Sequence, residues 1–466
     1  MFKPILVFLY HMPNVTLSFL RYALVTLSVL LSVHGDLWAQ PKHVEVKTNA
    51  QDEFRLYVNN QEYYIQGVGG SDFLDVAVNV GANTLRTWSS DNAKEVLDAA
   101  QDKGMMVMLG LWVQHERHGF DYDDEAKVKN QLENFRKVVM EFKDHPALLL
   151  WGVGNEVDLF YSNTKVWNAV QDIAKMIHEV DPHHPTTTIT AGLDPAEVKL
   201  IMANAPDIDI YSVNTYGGIA EVRKNIRSYG WTGPYLITEW GPNGHWEVAK
   251  TSWGAPIEQT SSEKAVSYLE RYEKEIVWDK KYCMGSFVFL WGHKQETTST
   301  WYGMFDATGR KSQSVEVLQD HWAPQNKKGY TPLVEKIELN GQGAMQSPTV
   351  WADDFVEVAC LWRDVDQDVK KVIWNIVPES NDIKAGGDAE SAPMAVQGLW
   401  KRKGDQNASF RAPHVPGAYR VFVQINDAQG NYGYANIPFL VKERTSDMPM
   451  PRWMNIKTWS DANWKD

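Results

Sequence analysis

Ala147–Val157 reads ALLLWGVGNEV. Its apolar run, Ala147–Val153, has the length and continuity of a strand buried on both faces, the mark of a parallel sheet covered by helices. The run delivers an amide and a carboxylate, Asn155 and Glu156, at its C-terminal end. A carboxylate at the rim of a core is costly unless it has partners or a task. Pro234–Gly241, PYLITEWG, has the same build and ends in Glu239.

Outward from these stretches the chain repeats one unit. Strand-like Tyr64–Val68, Thr84–Trp88, Met105–Trp112, Leu148–Val153, Thr186–Thr190, Ile208–Val213, Tyr235–Thr238 and Met284–Leu290 are each followed by a helix-like stretch. The longest of these are Asp124–Lys143, Lys165–Val180 and Ser261–Trp278. Eight strand–helix units predict an α/β fold, a (β/α)8 TIM barrel over residues 40–325. There is no P-loop and no GxGxxG to support a nucleotide-binding sheet. The alternating stretch His43–Tyr64 predicts a hairpin that leads into the barrel or plugs its bottom.

Chemistry on such a barrel belongs at the C-terminal ends of the strands. Those ends carry Gly69-Gly70, Arg86, Trp88, Trp112, Asn155, Glu156, Thr190, Asn214, Tyr216, Glu239, Trp240 and Trp291. No cluster of His or Cys converges there, so neither a metal nor another cofactor is expected. No Ser-His-Asp set is evident. His183 and His184, in the turn DPHHP, read as solvated. Cys283 and Cys360 fall in different expected domains and read as small buried hydrophobes rather than a disulfide.

A net charge of −13 argues against a nucleic-acid partner. The 20 Trp can serve the core, but they also supply flat indole faces that suit sugar rings. Two strand-end glutamates across one barrel mouth suit a retaining glycoside hydrolase, whose carboxyl groups sit roughly 5 Å apart. Arg86 and the Tyr216 hydroxyl near Glu239 would favour its charged form. Apolar surface near Glu156 would raise its pKa and keep it protonated.

WGVGNE (Trp151–Glu156) and ITEWG (Ile237–Gly241) together resemble the retaining glycoside hydrolases of the large (β/α)8 clan, especially the barrel domain of family 2. The resemblance covers roughly Val44–Trp322. It implies Glu156 as acid/base and Glu239 as nucleophile. It also implies Arg86 as the strand-two arginine, Tyr216 as the tyrosine contacting the nucleophile, and Trp291 as the tryptophan beneath the sugar. Asn155 is placed to bond the 2-hydroxyl, and Trp88, Trp112, Asn214 and Trp240 join these as expected substrate contacts. Members of family 2 usually carry a jelly-roll and a sandwich before the barrel. Here the chain enters the barrel almost directly, so an open cleft for an oligo- or polysaccharide, a β-glucan, is expected. The loop GHKQETTSTWYGMF, through Thr297–Tyr302, is expected to line acceptor or leaving-group subsites and so to permit transglycosylation. The competing class is a carbohydrate-binding protein that kept the barrel and lost turnover.

Residues 1–39 read as an export signal. Tyr22–Val33 is an apolar run too short to span a bilayer comfortably, with small residues at Gly35 and Ala39 for cleavage. A periplasmic or extracellular protein without stable membrane insertion is expected. No cysteine near the run offers a lipid anchor. After a polar linker, residues 331–444 change to short alternating strands with turns such as DAQGN, predicting an Ig-like β-sandwich packed structurally on the barrel. Residues 445–466 form a polar tail with Trp453, Trp459 and Trp464.

Overall fold

A computed structural model describes residues 42–444; the expected export signal and C-terminal tail lie outside them. The chain opens with an antiparallel sheet, β1 (Val44–Thr48), β2 (Phe54–Val58) and β3 (Gln61–Tyr63). Val44 and Leu56 of this sheet pack on Ile65, Met106, Leu149 and Met284, apolar residues that fill the lower barrel. The expected hairpin is therefore a three-stranded plug.

Eight parallel strands close the barrel: β4 (Ile65–Gly69), β5 (Thr84–Arg86), β6 (Met106–Leu111), β7 (Leu148–Asn155), β8 (Thr186–Ala191), β9 (Ile210–Asn214), β10 (Tyr235–Trp240) and β11 (Cys283–Val288). Every residue of β7 is buried, as its unbroken apolar run requires. The helices between them are α1 (Leu74–Asn79), α2 (Ala93–Asp102), α3 (Glu125–Phe142), α4 (Lys165–Val180), α5 (Pro195–Asn204), α6 (Ile219–Ser228), α7 (Ser261–Arg271) and α8 (Gln313–Trp322). In α4 the buried stripe Val166, Val170, Ile173 and Ile177 follows the helical period, and each fully buried side chain contributes about 1.5–3 kcal/mol. A capping box between Thr260 and Glu263 starts α7. The long helix expected over Ser261–Trp278 is broken after Arg271 by a single π turn, Tyr272–Ile276. Tyr272 there stacks on Trp240 and faces His321 and Trp322. Among the described residues no helix is long and apolar enough to cross a membrane.

The turn after α4 departs from the solvated reading. His183 is exposed, but His184 is buried, with Nδ1 2.9 Å from Asp181 Oδ2. Asp181 also accepts from Trp151 Nε1 at 2.8 Å. The histidine is one end of a buried bracket that ties the turn to β7.

Two four-stranded sheets form the second unit, β12 (Leu333–Leu339), β14 (Phe355–Arg363), β17 (Asn407–Arg411) and β16 (Trp400–Lys403) against β13 (Thr349–Trp351), β19 (Tyr432–Lys442), β18 (Gly417–Asn426) and β15 (Lys371–Pro378). Pairing is antiparallel except between β13 and β19. Trp374 of β15 is fully buried in this core, and the Tyr419 hydroxyl donates back to Val415 O at 2.9 Å, both features of Ig-like sandwiches. The short strands β13 and β16 left no alternation long enough to be read from sequence. Cys283 and Cys360 are both free and buried.

The sandwich is fixed to the barrel through buried polar bonds. Glu258 accepts from Lys264 Nζ, Thr298 Oγ1, Thr300 Oγ1 and Asn436 Nδ2, at 2.5 to 2.8 Å. A carboxylate this deep is tolerated because a cation and three neutral donors occupy its lone pairs. Between β15 and β16, residues 379–399 form no helix or strand and extend to the barrel mouth.

Candidate active site

Glu239 faces the barrel mouth from the end of β10 and is 5% exposed. Its Oε1 accepts from Arg86 Nη1 at 3.0 Å and from Trp88 Nε1 at 2.7 Å. Its Oε2 accepts from the Tyr216 hydroxyl at 2.9 Å. One cationic and two neutral donors hold the carboxylate and fix its aim. Arg86 is itself buried at the end of β5. It also donates to Thr238 O at 2.7 Å and to Asn155 Oδ1 at 2.5 Å, which fixes its fork in the barrel wall.

Glu156 follows β7 with φ of 51°, a left-handed conformation that a non-glycine residue adopts at a cost. Its N–H is held by Ile189 O at 2.9 Å. Among the described residues its one side-chain partner is neutral: Asn214 Nδ2 donates to Oε1 at 2.9 Å. Burial first, and the negative charge of Glu239 second, raise its pKa to about 8. The two glutamates thus occupy one site in opposite electrostatic settings. Asn214 and Asn155 lie between them, with Asn214 Nδ2 donating to Asn155 Oδ1 at 3.1 Å. With that oxygen already accepting from Arg86 as well, Asn155 presents its amino group to a ligand.

Around these carboxylates runs a cleft of about 1020 Å³ lined by Trp88, Trp112, Asn155, Glu156, Asn214, Tyr216 and Glu239 among others. Its volume stands at the upper end for small-molecule sites, about 300–1,000 Å³, and admits more than one sugar ring. Two of the expected sugar contacts are elsewhere. Trp240 is fully buried and packs on Tyr268 and Tyr272 in the helix layer. Strand neighbours point to opposite faces, so once Glu239 faces the mouth Trp240 must face outward. Trp291 is also fully buried, edge-on to Phe305 at 4.9 Å; Phe289 and Leu290 line the cleft in its place. Thr297–Tyr302 does not line the cleft either. Thr297, Thr298, Trp301 and Tyr302 are buried, and the threonines face the sandwich. Only Lys294 and Glu296 of that loop reach the cleft.

Other cleft residues had no readable signal. Phe160 and Trp246 stand on the rim, 71% and 56% exposed. His115, which does not itself line the cleft, is buried on the Trp112 ring, with Nε2 2.6 Å from Asn155 O. That carbonyl can only accept, so Nε2 carries the proton. Burial pushes the His115 pKa down to about 4, which keeps it neutral. Ile383–Gly387 reach the cleft from the sandwich.

A family model described as "Glycosyl hydrolases family 2, TIM barrel domain" matches residues 49–304. A β-glucuronidase from Sus scrofa is 22% identical over 264 residues, covering 52% of this chain and 34% of that protein. A β-galactosidase from Thermoanaerobacterium thermosulfurigenes is 30% identical over 173 residues, covering 35% of this chain and 20% of that protein. Among solved structures, Bacteroides uniformis β-glucuronidase 2 aligns with a TM-score of 0.48 at 14% identity, over 86% of this chain and 48% of that one. The match spans about a third of the length of the Sus scrofa relative.

Proposed function

The chain belongs to glycosyl hydrolase family 2, and from that premise we propose that it is a retaining β-glycosidase with Glu239 as nucleophile and Glu156 as acid/base. The observation that carries the assignment is the asymmetry of donors. Glu239 has Arg86, Trp88 and Tyr216; Glu156 has one neutral amide and a raised pKa. In the first step the Glu239 carboxylate attacks the anomeric carbon, and Glu156 gives its proton to the departing oxygen. The product is a glycosyl ester on Glu239, in which the carboxylate charge is gone. The second-largest cause of the raised Glu156 pKa disappears with it. Glu156 is then fitted to take a proton from water, which attacks the same carbon and releases Glu239. Two inversions retain the β configuration.

The substrate we infer is a β-linked oligo- or polysaccharide of neutral hexoses, with a β-glucan the form expected from sequence. With Glu156 protonated, Glu221, Glu239, Glu247 and Glu296 face the cleft against Lys294 and Lys384, a balance that disfavours an anionic sugar. Lys294 is already bonded to Glu296 and to Gly387 O. It is also the observation that favours a second reading, a β-glucuronide, in line with the names of several relatives. Thr297–Tyr302 do not line the cleft, so water is the acceptor in this account. Assay of aryl β-glucosides, β-galactosides and β-glucuronides, with β-glucan oligosaccharides alongside, decides between the readings. Neutral β-glycosides are expected to be cleaved with retention. Cleavage of the glucuronide alone would replace the first reading with the second. Binding without cleavage of any would make the protein a carbohydrate-binding one.

A further inference from the structure

The segment that reaches the cleft from the second unit lies beyond the family match, which ends at residue 304. Long connections without secondary structure inside compact units are usually either functional or disordered. This one is built rather than loose. Asp382 Oδ2 accepts from Ser391 N and Oγ, both at 2.8 Å, closing its base. Glu390 Oε1 accepts from Lys384 N at 2.9 Å inside the closed turn.

Five bonds to three of its residues then fasten it to the barrel. Asp388 accepts from Arg117 Nη1 at 2.8 Å and Nη2 at 3.2 Å, a forked pair, with His118 Nε2 at 3.1 Å. Gly387 O accepts from Lys294 Nζ at 2.6 Å, and Glu390 Oε2 from Thr297 N at 2.6 Å. Gly386 and Gly387 both have positive φ, 65° and 69°. A Cβ at Gly386 would lie 2.7 Å from Arg117 Nη2 and from Leu159 Cδ2. Glycine lets the main chain lie against the barrel loops here, where a side chain would lift it off. The segment spans from the loops after β6 and β7 to the loop after β11, so it walls the cleft on that side. The exposed rings of Phe160 and Trp246 line the same cleft.

We propose that Ile383–Gly387 of the sandwich form one wall of a subsite for a second sugar ring, continuous with the Glu156–Glu239 site. This rests on the glycosidase reading for its chemistry, but the wall is a binding element in its own right. Its ligand is the neighbouring ring of a β-linked chain, held by Ile383, by main-chain polar groups of the segment and by the rim aromatics. The sandwich is then a specificity-determining part of the enzyme rather than a packing domain.

The test uses the full chain carrying Glu239→Gln, to prevent turnover, and titrates it calorimetrically with β-1,3- and β-1,4-linked glucotetraose and galactotetraose and with the matching methyl β-glycosides. Adding Asp388→Ala, which releases Arg117 and His118, is expected to weaken binding of the preferred tetrasaccharide about tenfold and to change its preference over the monosaccharide. Ile383→Ser leaves the fastening intact and is expected to weaken the tetrasaccharide about threefold with Tm unchanged. In the Glu239 protein the ratio of kcat/KM, oligosaccharide to aryl monoglycoside, should fall in the same order. Equal tetrasaccharide affinity in all three proteins, or no tetrasaccharide binding at all, would overturn the subsite. Loss of tetrasaccharide binding in a protein that never turns over any glycoside would uphold the subsite and sink the glycosidase reading.

Discussion

Arg86 Nη1 lies 3.0 Å from Glu239 Oε1, and the guanidinium that makes this bond is 1% exposed. The same guanidinium bonds Asn155 Oδ1 and Thr238 O. One cation therefore holds the carboxylate of one glutamate and the side-chain position of the residue before the other.

Arg86→Met should remove the cation paired with Glu239 and leave its buried carboxylate with only the neutral donors Trp88 and Tyr216. Breaking such a pair costs about 3–5 kcal/mol. We expect a lowered Tm and a fall in kcat/KM of about 10²–10³ on an aryl β-glycoside, the scale of losing one preorganised electrostatic contact. Arg86→Lys should recover little, because an ammonium cannot reach Glu239, Asn155 and Thr238 together. Full activity in the lysine variant would show that the fork is unimportant.

Glu156 gives a pH prediction with a definite sign. Its folded pKa is raised to about 8 from an ordinary 4.5, so the folded state holds the proton more tightly than the unfolded chain. Its contribution to stability is fully present below about pH 4.5 and is lost as pH rises through about 8. Glu156→Gln, which stays neutral, should raise Tm by a few degrees at pH 9 relative to the parent and change it little at pH 4. As the required acid, Glu156 should also impose a fall in kcat/KM above about pH 8. A flat Tm difference across this range would mean that Glu156 is ordinarily ionised.

His115 is buried with Nε2 on Asn155 O, and its pKa is pushed down to about 4. It is a positioning residue for the Asn155–Glu156 peptide. His115→Ala should lower kcat about tenfold with a smaller change in KM, in keeping with a mis-set reacting group. The parent should show no inflection of rate between pH 6 and 7 from this histidine. Such an inflection, absent in His115→Ala, would overturn the neutral assignment.

The barrel was legible because its signals are local. β7 is an unbroken apolar run, and α4 carries its stripe at helical spacing. Arg86, Asn155, Glu156, Asn214, Tyr216 and Glu239 were legible because strand ends converge on a barrel mouth. Trp240 was misplaced although the rule that places it, alternation beside Glu239, was available. Trp291 and Thr297–Tyr302 turn on how the loop after β11 folds back onto Phe305 and the sandwich, which no spacing encodes. His184 looked solvated because its partner, Asp181, is made by the same turn. Ile383–Gly387 come to the cleft through ion pairs with residues far away in the sequence, such as Arg117 with Asp388. That contact is tertiary and leaves no periodic trace.

The central claim is that Glu239 is the nucleophile and Glu156 the acid/base, and the most direct measurement is the fate of each alanine variant on an aryl β-glycoside with a good leaving group, with and without azide. Such a substrate needs little acid help. Glu156→Ala should therefore release a burst of aryl group and then stall for want of a base, and azide should rescue it to the β-glycosyl azide. Glu239→Ala can form no glycosyl-enzyme; it should show no burst, and azide in the vacated space should give the α-glycosyl azide. The two anomers exchanged between the variants would reverse the roles, and two variants as active as the parent would contradict the site.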